Sequence, residues 1–243
     1  MVMGKRIRAI ALLVCALGCC SLAHADAPNA VDALLDESFS VIRSTPEKGA
    51  VPLAKLQALR DTFTPAQNQR YHALYAKYLG FQGRHEERIE LVQSIIGQVT
   101  KPSTRASLLY DLVDGNRALG HYESALQAMN ESILLLPSID SIGAKLLVLN
   151  GAVSLLTTLR AYDEALVLAE RIIALDTSPA GARTQCHGLA DKVELNFKLG
   201  NSELAQSLVP ETVLACDASK EHMASLIVKS FAAIDLIDSG QYA

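Results

Sequence analysis

Apolar residues recur at helical spacing along most of the chain. Leu126, Met129 and Ile133 lie three and four residues apart, and Leu166 and Ala169 repeat the first two positions 40 residues later. Apolar side chains at this spacing cover one face of an α-helix, so the pattern predicts a series of amphipathic helices. The composition agrees, because half of the residues are apolar but only 5% are aromatic and tryptophan is absent. Strands favour aromatic and β-branched residues, whereas alanine and leucine favour packed helices.

Short polar turns interrupt the helical pattern at a fixed interval. They begin at Gly83, Gly120, Arg160, Gly200 and Gly240, so successive starts are 37, 40, 40 and 40 residues apart. A helical stretch precedes each turn, and another follows each of the first four. Glycine ends a helix readily because it tolerates a left-handed backbone. The period therefore predicts a repeat of two antiparallel helices joined by a tight turn.

The turns and the helices after them resemble tetratricopeptide repeats (TPRs). Residues 119–126 read LGHYESAL and residues 162–166 read YDEAL, both close to the family pattern. The family's small residue in the second helix is matched by Ala125, Ala165 and Ala205. The facing small positions of the first helices are Ala76, Val113, Val153, Val193 and Ala233. The resemblance implies an all-α fold, a right-handed α-solenoid of antiparallel helix pairs.

The sequence departs from the TPR pattern in three ways. The repeat period nevertheless sets the predicted boundaries. The period is 40 in place of the usual 34 or so, Arg160 replaces glycine, and Ser202 replaces tyrosine. The predicted segments are a signal peptide (1–25), a divergent N-terminal helix pair or cap (26–65) and a TPR-like solenoid (66–243). The solenoid divides into repeats near 66–101, 102–138, 139–178 and 179–218 and an incomplete repeat, 219–243.

The N-terminus has the organisation of a secretory signal peptide. Three basic residues between positions 5 and 8 precede an apolar run of 14 residues, and Ala23-His24-Ala25 follows it. This predicts cleavage between Ala25 and Asp26 and a location in the bacterial periplasm. The run is shorter than the 20 or so residues that cross a bilayer. A retained anchor and a lipoprotein processed at Cys19 stay open as alternatives.

Charge and hydropathy limit the kinds of partner. Without residues 1–25, the chain has 26 acidic and 19 basic residues and no basic block. An acidic chain of this kind has no electrostatic attraction to nucleic acid or to an anionic membrane. A second apolar stretch, 146–159, is only 14 residues long and contains Asn150 and Gly151. It predicts a buried helix, with no insertion into the membrane.

Two cysteines remain after signal cleavage, and they are predicted to form a disulfide. If the helices of the fourth repeat fold back about residues 200 and 201, facing residues have numbers that add up to about 401. Cys186 and Cys216 add up to 402. Pro210 complicates this, because a proline inside the second helix removes a hydrogen bond and kinks the helix. Two separate buried thiols are the alternative.

The sequence contains no recognisable set of catalytic or metal-binding residues. The histidines lack a second ligand at zinc spacing, and Cys186 and His187, being adjacent on a helix, point in different directions. No phosphate-binding glycine loop and no nucleophile elbow occurs. We therefore predict no catalytic residue, no cofactor and no metal.

The remaining candidate site is a surface. In TPR proteins, ligands usually lie along the concave face that the first helices line. By register with the family, the predicted partner-binding residues are Arg70, Lys77, Tyr110, Asp114, Arg117, Asn150, Ser154, Thr157, His187, Glu194 and Lys198. They are mixed in charge and rich in hydrogen-bonding groups, which suits a protein or peptide ligand but equally suits a solvated surface.

The predicted partner-binding residues differ from those of chaperone-binding TPR proteins. Those proteins use lysine and asparagine to hold a peptide carboxylate, whereas Tyr110 with Asp114, and Asn150 with Ser154, stand at these places. The resemblance therefore does not imply capture of a C-terminal carboxylate.

Three functions compete. The first is an exported scaffold that binds a protein or peptide. The second follows from the incomplete last repeat, which would leave Ile234, Leu236 and Ile237 exposed and predicts the N-terminal part of a longer protein. A signal peptide followed by such repeats resembles the periplasmic sensory region of bacterial membrane-bound diguanylate cyclases, whose GGDEF domain would follow. The third, a small-molecule enzyme, has no motif in its favour.

Overall fold

The computed structural model describes residues 27–176, 178, 181–238 and 240, and every regular element in these ranges is helical. The predicted cleavage site, Ala25 and Asp26, and the three cysteines before it lie outside them. The eleven helices of the described part are α1 (Ala27–Ser44), α2 (Ala50–Ala58), α3 (Pro65–Phe81), α4 (His85–Ile96), α5 (Pro102–Ala118), α6 (Tyr122–Leu135), α7 (Ile142–Thr158), α8 (Tyr162–Ile173), α9 (Ala182–Lys198), α10 (Ser202–Ala218) and α11 (His222–Asp238). None of them is long and apolar enough to cross a membrane.

The described part of the chain divides into two compact units, with the boundary between Gly83 and Arg84. In the first unit, α1 packs on α2 and α3 around a buried cluster that includes Leu35, Leu56 and Tyr71. A capping box starts α3, because the Thr64 hydroxyl accepts from the Gln67 amide and the Gln67 side chain accepts from the Thr64 amide. These contacts fix the divergent helices that precede the regular repeats.

In the second unit, helices pack in successive pairs. Each first helix (α5, α7, α9) packs on its own second helix (α6, α8, α10), on the second helix of the preceding repeat, and on the next first helix. This confirms the predicted all-α fold of paired helices. The small residues Ala125, Ala165 and Ala205 are fully buried where the paired helices meet, as the TPR resemblance implies.

The turns within the repeats use a left-handed residue, as the glycine pattern predicts. Gly120 and Gly200 have φ angles of 75° and 80°. Arg160, which stands where the family has glycine, adopts the same region with φ of 61°. The turn conformation is therefore kept at a residue with a Cβ, and some strain is accepted.

The predicted disulfide between Cys186 and Cys216 is present. It joins α9 to α10, with 4.6 Å between the two Cα atoms and both residues fully buried. Pro210 lies inside α10, but Cys216 still reaches the shared face. The alternative of two separate thiols is therefore not what the fold adopts.

Gly188 permits the close approach of α8 and α9. A Cβ at this position would lie 2.9 Å from the Ile173 amide nitrogen and 3.0 Å from the Ala169 carbonyl oxygen. Both are backbone atoms, so the helices themselves would have to move apart. We expect Gly188→Ala to lower the free energy of unfolding by about 1 to 3 kcal/mol, measured by urea denaturation.

Gly143→Ala is the matched control for Gly188→Ala. A Cβ at Gly143, also helical, would meet nothing nearer than the Ser141 hydroxyl at 3.8 Å. Alanine has the higher helix propensity, so this variant should be neutral or gain up to about 1 kcal/mol. Equal losses in both variants would show that crowding at Gly188 is not the cause.

Candidate functional site

The predicted partner-binding residues of the second unit lie on its stacked first helices. Each of three helices carries three of them: Tyr110, Asp114 and Arg117 on α5; Asn150, Ser154 and Thr157 on α7; and His187, Glu194 and Lys198 on α9. Because α5 packs on α7 and α7 on α9, the register places these residues in successive rows.

A buried ion pair supports the first row. Arg88 on α4 and Asp111 on α5 have side chains only 3% and 2% exposed. The Arg88 Nε donates to an Asp111 oxygen at 3.1 Å, and one Nη donates to the same oxygen. Burial opposes the positive charge, but the Asp111 and Asp114 carboxylates together raise the pKa of Arg88. The pair ties α4 to α5.

Asp114 and Arg117, both predicted to bind a partner, bind each other and Arg88. The second Nη of Arg88 donates to one Asp114 oxygen at 2.7 Å, and Arg117 donates to the other at 2.7 Å. Burial works to raise the pKa of Asp114, but the hydrogen bonds from Arg117 and Arg88 lower it. Two arginines and two aspartates thus form a network without net charge, so this row offers a partner paired charges.

Tyr110 fills the space between α5 and α7. A Cβ at Gly151 would lie 2.9 Å from the Tyr110 ring, so the missing side chain makes room for it. Burial, and then the Asp114 carboxylate, raise the pKa of Tyr110 to about 12. The phenol is therefore neutral under physiological conditions.

The row on α7 is uncharged. Ser154 is exposed and Thr157 is half-buried. The Asn150 Oδ1 is buried and has no hydrogen-bond partner among the described residues. A buried acceptor without a partner is costly, and an N–H group from a ligand would satisfy it. Asn150 is the residue of the predicted row whose chemistry points most directly to a ligand.

The row on α9 carries one carboxylate and one ammonium, and these two charges lie close together. Lys198 lies 3.5 Å from the Glu194 carboxylate, one turn away on the same helix, and its ammonium also lies 5.9 Å above the Phe231 ring of α11. His187 is half-buried two turns before Glu194.

Asp191 on α9 is a half-buried acid that the sequence interpretation missed. It occupies the position that Asp111 holds on α5, but Ala165 stands on α8 where Arg88 stands on α4. No cation of the described residues pairs with it. Burial, and then the Glu194 carboxylate, raise the pKa of Asp191 to about 8.

The raised pKa of Asp191 predicts that stability falls with rising pH. The folded chain keeps the Asp191 proton up to about pH 8, whereas the unfolded chain releases it near pH 4 or so. Between these values the unfolded state binds fewer protons, so raising the pH favours unfolding. We expect Asp191→Asn to be more stable than wild type at pH 9, by on the order of 2 kcal/mol, and to differ little at pH 4.

Thermal melts of both proteins from pH 4 to 9 measure this difference. Asp163→Asn, at an exposed carboxyl of α8, is the control. Parallel pH profiles for wild type and Asp191→Asn would contradict the prediction.

Arg70 and Lys77 belong to the first unit, and each already has a contact there. Arg70 forms ion pairs with Asp32 and Asp36 at 2.5 and 2.6 Å. The Lys77 ammonium lies 5.9 Å above the ring of Phe39, which is 47% exposed. Both side chains act locally between α1 and α3.

The successive antiparallel helix pairs have the fold of TPR-like repeats. The chain is similar to the crystal structure of nearly identical TPR-like repeats from a kinesin light chain of Podosopora anserina, with a TM-score of 0.57 and 12% sequence identity. The match covers 82% of this chain and 100% of that chain. At this identity the likeness shows the fold alone. No protein-family model and no curated protein matches the chain.

Proposed function

We propose that this chain is a non-catalytic, exported TPR-like module that binds a protein or peptide partner along α5, α7 and α9. TPR-like repeats generally mediate interactions between proteins. The observation that carries the choice of surface is the buried Asn150 Oδ1, which has no partner among the described residues. Since the charges on α5 are already paired, we propose that the partner is recognised mainly through backbone hydrogen bonds.

Export is supported by the N-terminal pattern and by the disulfide. Disulfides persist in oxidising compartments such as the bacterial periplasm and are rare in the cytosol. Expression of the full chain in a bacterium, followed by mass spectrometry, tests this part. We expect a mature N-terminus at Asp26. An unprocessed chain, or one beginning at a lipidated Cys19, would contradict it.

The choice of surface is tested with two matched serine variants. Ser154 on α7 and Ser124 on α6 are both exposed, but only Ser154 lies in the proposed row. Partners are captured by cross-linking the chain in the cell envelope and are then titrated against purified variants. We expect Ser154→Arg to weaken binding at least about tenfold, as a desolvated, unmatched charge does. Equal affinity in Ser154→Arg and Ser124→Arg would refute this surface.

The second candidate is the periplasmic sensory region of a membrane-bound diguanylate cyclase. It rests on the architectural resemblance and on the exposed apolar side chains of α11, including Ile234 and Ile237, which are 54% and 60% exposed. The reading frame after Ala243 tests it. An apolar span followed by a GGDEF domain would support this function, and a stop codon would refute it.

A further inference from the structure

A cleft of about 310 Å³ opens between the ends of α6 and α8 and the first half of α7. Its apolar lining includes Ile133, Leu136, Leu149 and Leu175, and two cations, Lys145 and Arg171, stand beside them. The volume is at the lower end of the range for small-ligand pockets, about 300 to 1,000 Å³. The cleft is separate from the proposed partner-binding rows, because none of their residues lines it.

In the preceding repeat, the residues at the positions of Lys145 and Arg171 form an ion pair with each other. Forty residues earlier, Arg105 stands at the position of Lys145 and Glu131 at the position of Arg171. The Arg105 Nε donates to Glu131 at 2.9 Å, and its Nη1 donates to the Ile96 carbonyl at 3.1 Å. In that repeat, a cation and a carboxylate satisfy each other and the end of the preceding helix.

The following repeat satisfies this position in another way. Gln185 stands 40 residues after Lys145. Its amide donates to the carbonyls of Ile173 and Asp176 at 2.8 and 3.0 Å. Lys145 does neither, since its side chain makes no hydrogen bond or ion pair with any described residue, and the same holds for Arg171. Two like charges thus stand where the neighbouring repeat has a matched pair.

We propose that this cleft binds a small carboxylic acid, whose apolar body packs on the leucine and isoleucine lining. The carboxylate of the ligand accepts hydrogen bonds from Lys145 and Arg171. It thus serves as the counter-charge in this cleft, as the Glu131 carboxylate does in the preceding repeat. Charge-assisted bonds of this kind are strong because both partners are ionised. The apolar lining selects against small inorganic anions, since these would leave Leu149 and Leu175 uncovered.

Octanoate is the first probe, titrated into the purified chain by calorimetry with 1-octanol as the uncharged comparison. We expect saturable octanoate binding with one site per chain, and binding of octanol at least about tenfold weaker. Acetyl-leucyl-leucine is the second probe. Tighter binding of octanoate assigns a free alkyl acid as the ligand, and tighter binding of the peptide assigns a C-terminal residue.

Arg171→Glu is the decisive variant, because it recreates the internal pair that Arg105 and Glu131 form. We expect it to lose octanoate binding at least tenfold or so with an unchanged or higher melting temperature, so misfolding cannot explain the loss. Lys145→Gln should weaken binding similarly, and Lys229→Gln, an exposed cation outside the cleft, should not. Unchanged binding in Arg171→Glu, equal binding of octanol, or no saturable binding of either acid would overturn the proposal.

Discussion

Replacing Arg88 by methionine should lower the free energy of unfolding by about 3 to 5 kcal/mol. Methionine keeps much of the volume, so the loss comes chiefly from Asp111, which is left ionised and buried without its cation. With side-chain exposures of 3% and 2%, neither partner of this pair can turn to water in the folded state. Urea denaturation of wild type and Arg88→Met measures the difference. The comparison is valid when the free energy of unfolding falls with urea concentration at the same slope in both proteins.

Two further variants separate charge from packing. Arg105→Met breaks the pair with Glu131, whose side chains are 31% and 44% exposed, and should cost under about 1 kcal/mol. Arg88→Met combined with Asp111→Leu should recover most of the loss, because an apolar pair of similar volume can replace a buried ion pair. If the double variant is as unstable as Arg88→Met alone, the pair matters through its shape and our interpretation is wrong.

The helices, their pairing and the disulfide were predictable because each depends on local or periodic information. The turn glycines fix where each hairpin reverses, and two helices that reverse there must bring residues at equal distances from the turn together. Cys186 and Cys216 follow from this geometry alone. The start of α7 shows its limit, since Ile142 begins the helix three residues after the predicted repeat start at residue 139.

The interactions between repeats were not predictable in the same way. Arg88 and Asp111 are 23 residues apart and lie in different repeats, so their contact depends on how one second helix docks on the next first helix. One signal was present: Arg88 lies five residues after the left-handed residue of its turn, Gly83, and Ala125 and Ala165 lie at the same distance after theirs. A long cation at a small-residue position requires a buried counter-charge.

The predicted site residues differ in whether neighbouring side chains already bind them, and the sequence does not show this difference. Register alone gives the face on which a residue lies, but not whether its neighbours already satisfy it. Asp114 and Arg117 were expected to meet a partner, yet they bind each other. Asn150 was expected on the same grounds, and its carbonyl oxygen is left without a partner among the described residues. Only the packing of the folded chain distinguishes the two cases.

Reducing the disulfide should lower the free energy of unfolding by roughly 3 to 4 kcal/mol. The bond closes a loop of 30 residues, which restricts the unfolded chain far more than the folded hairpin. Since both cysteines are fully buried, the folded chain should resist reduction, and full reduction should require denaturant. Urea denaturation with and without a reducing agent measures the loss.

The matched control replaces both cysteines by small apolar residues, Cys186→Ala with Cys216→Val. This variant should be less stable than the oxidised wild type by a similar amount and should not respond to the reducing agent, because it has no bond to lose in the mature chain. If the stability of the wild type also did not respond to the reducing agent, the prediction would be contradicted. Two reactive thiols in the unreduced, denatured mature protein would contradict it as well. Because α9 carries His187 and Glu194 as well as Cys186, loss of the bond should also loosen the third row of the proposed partner surface.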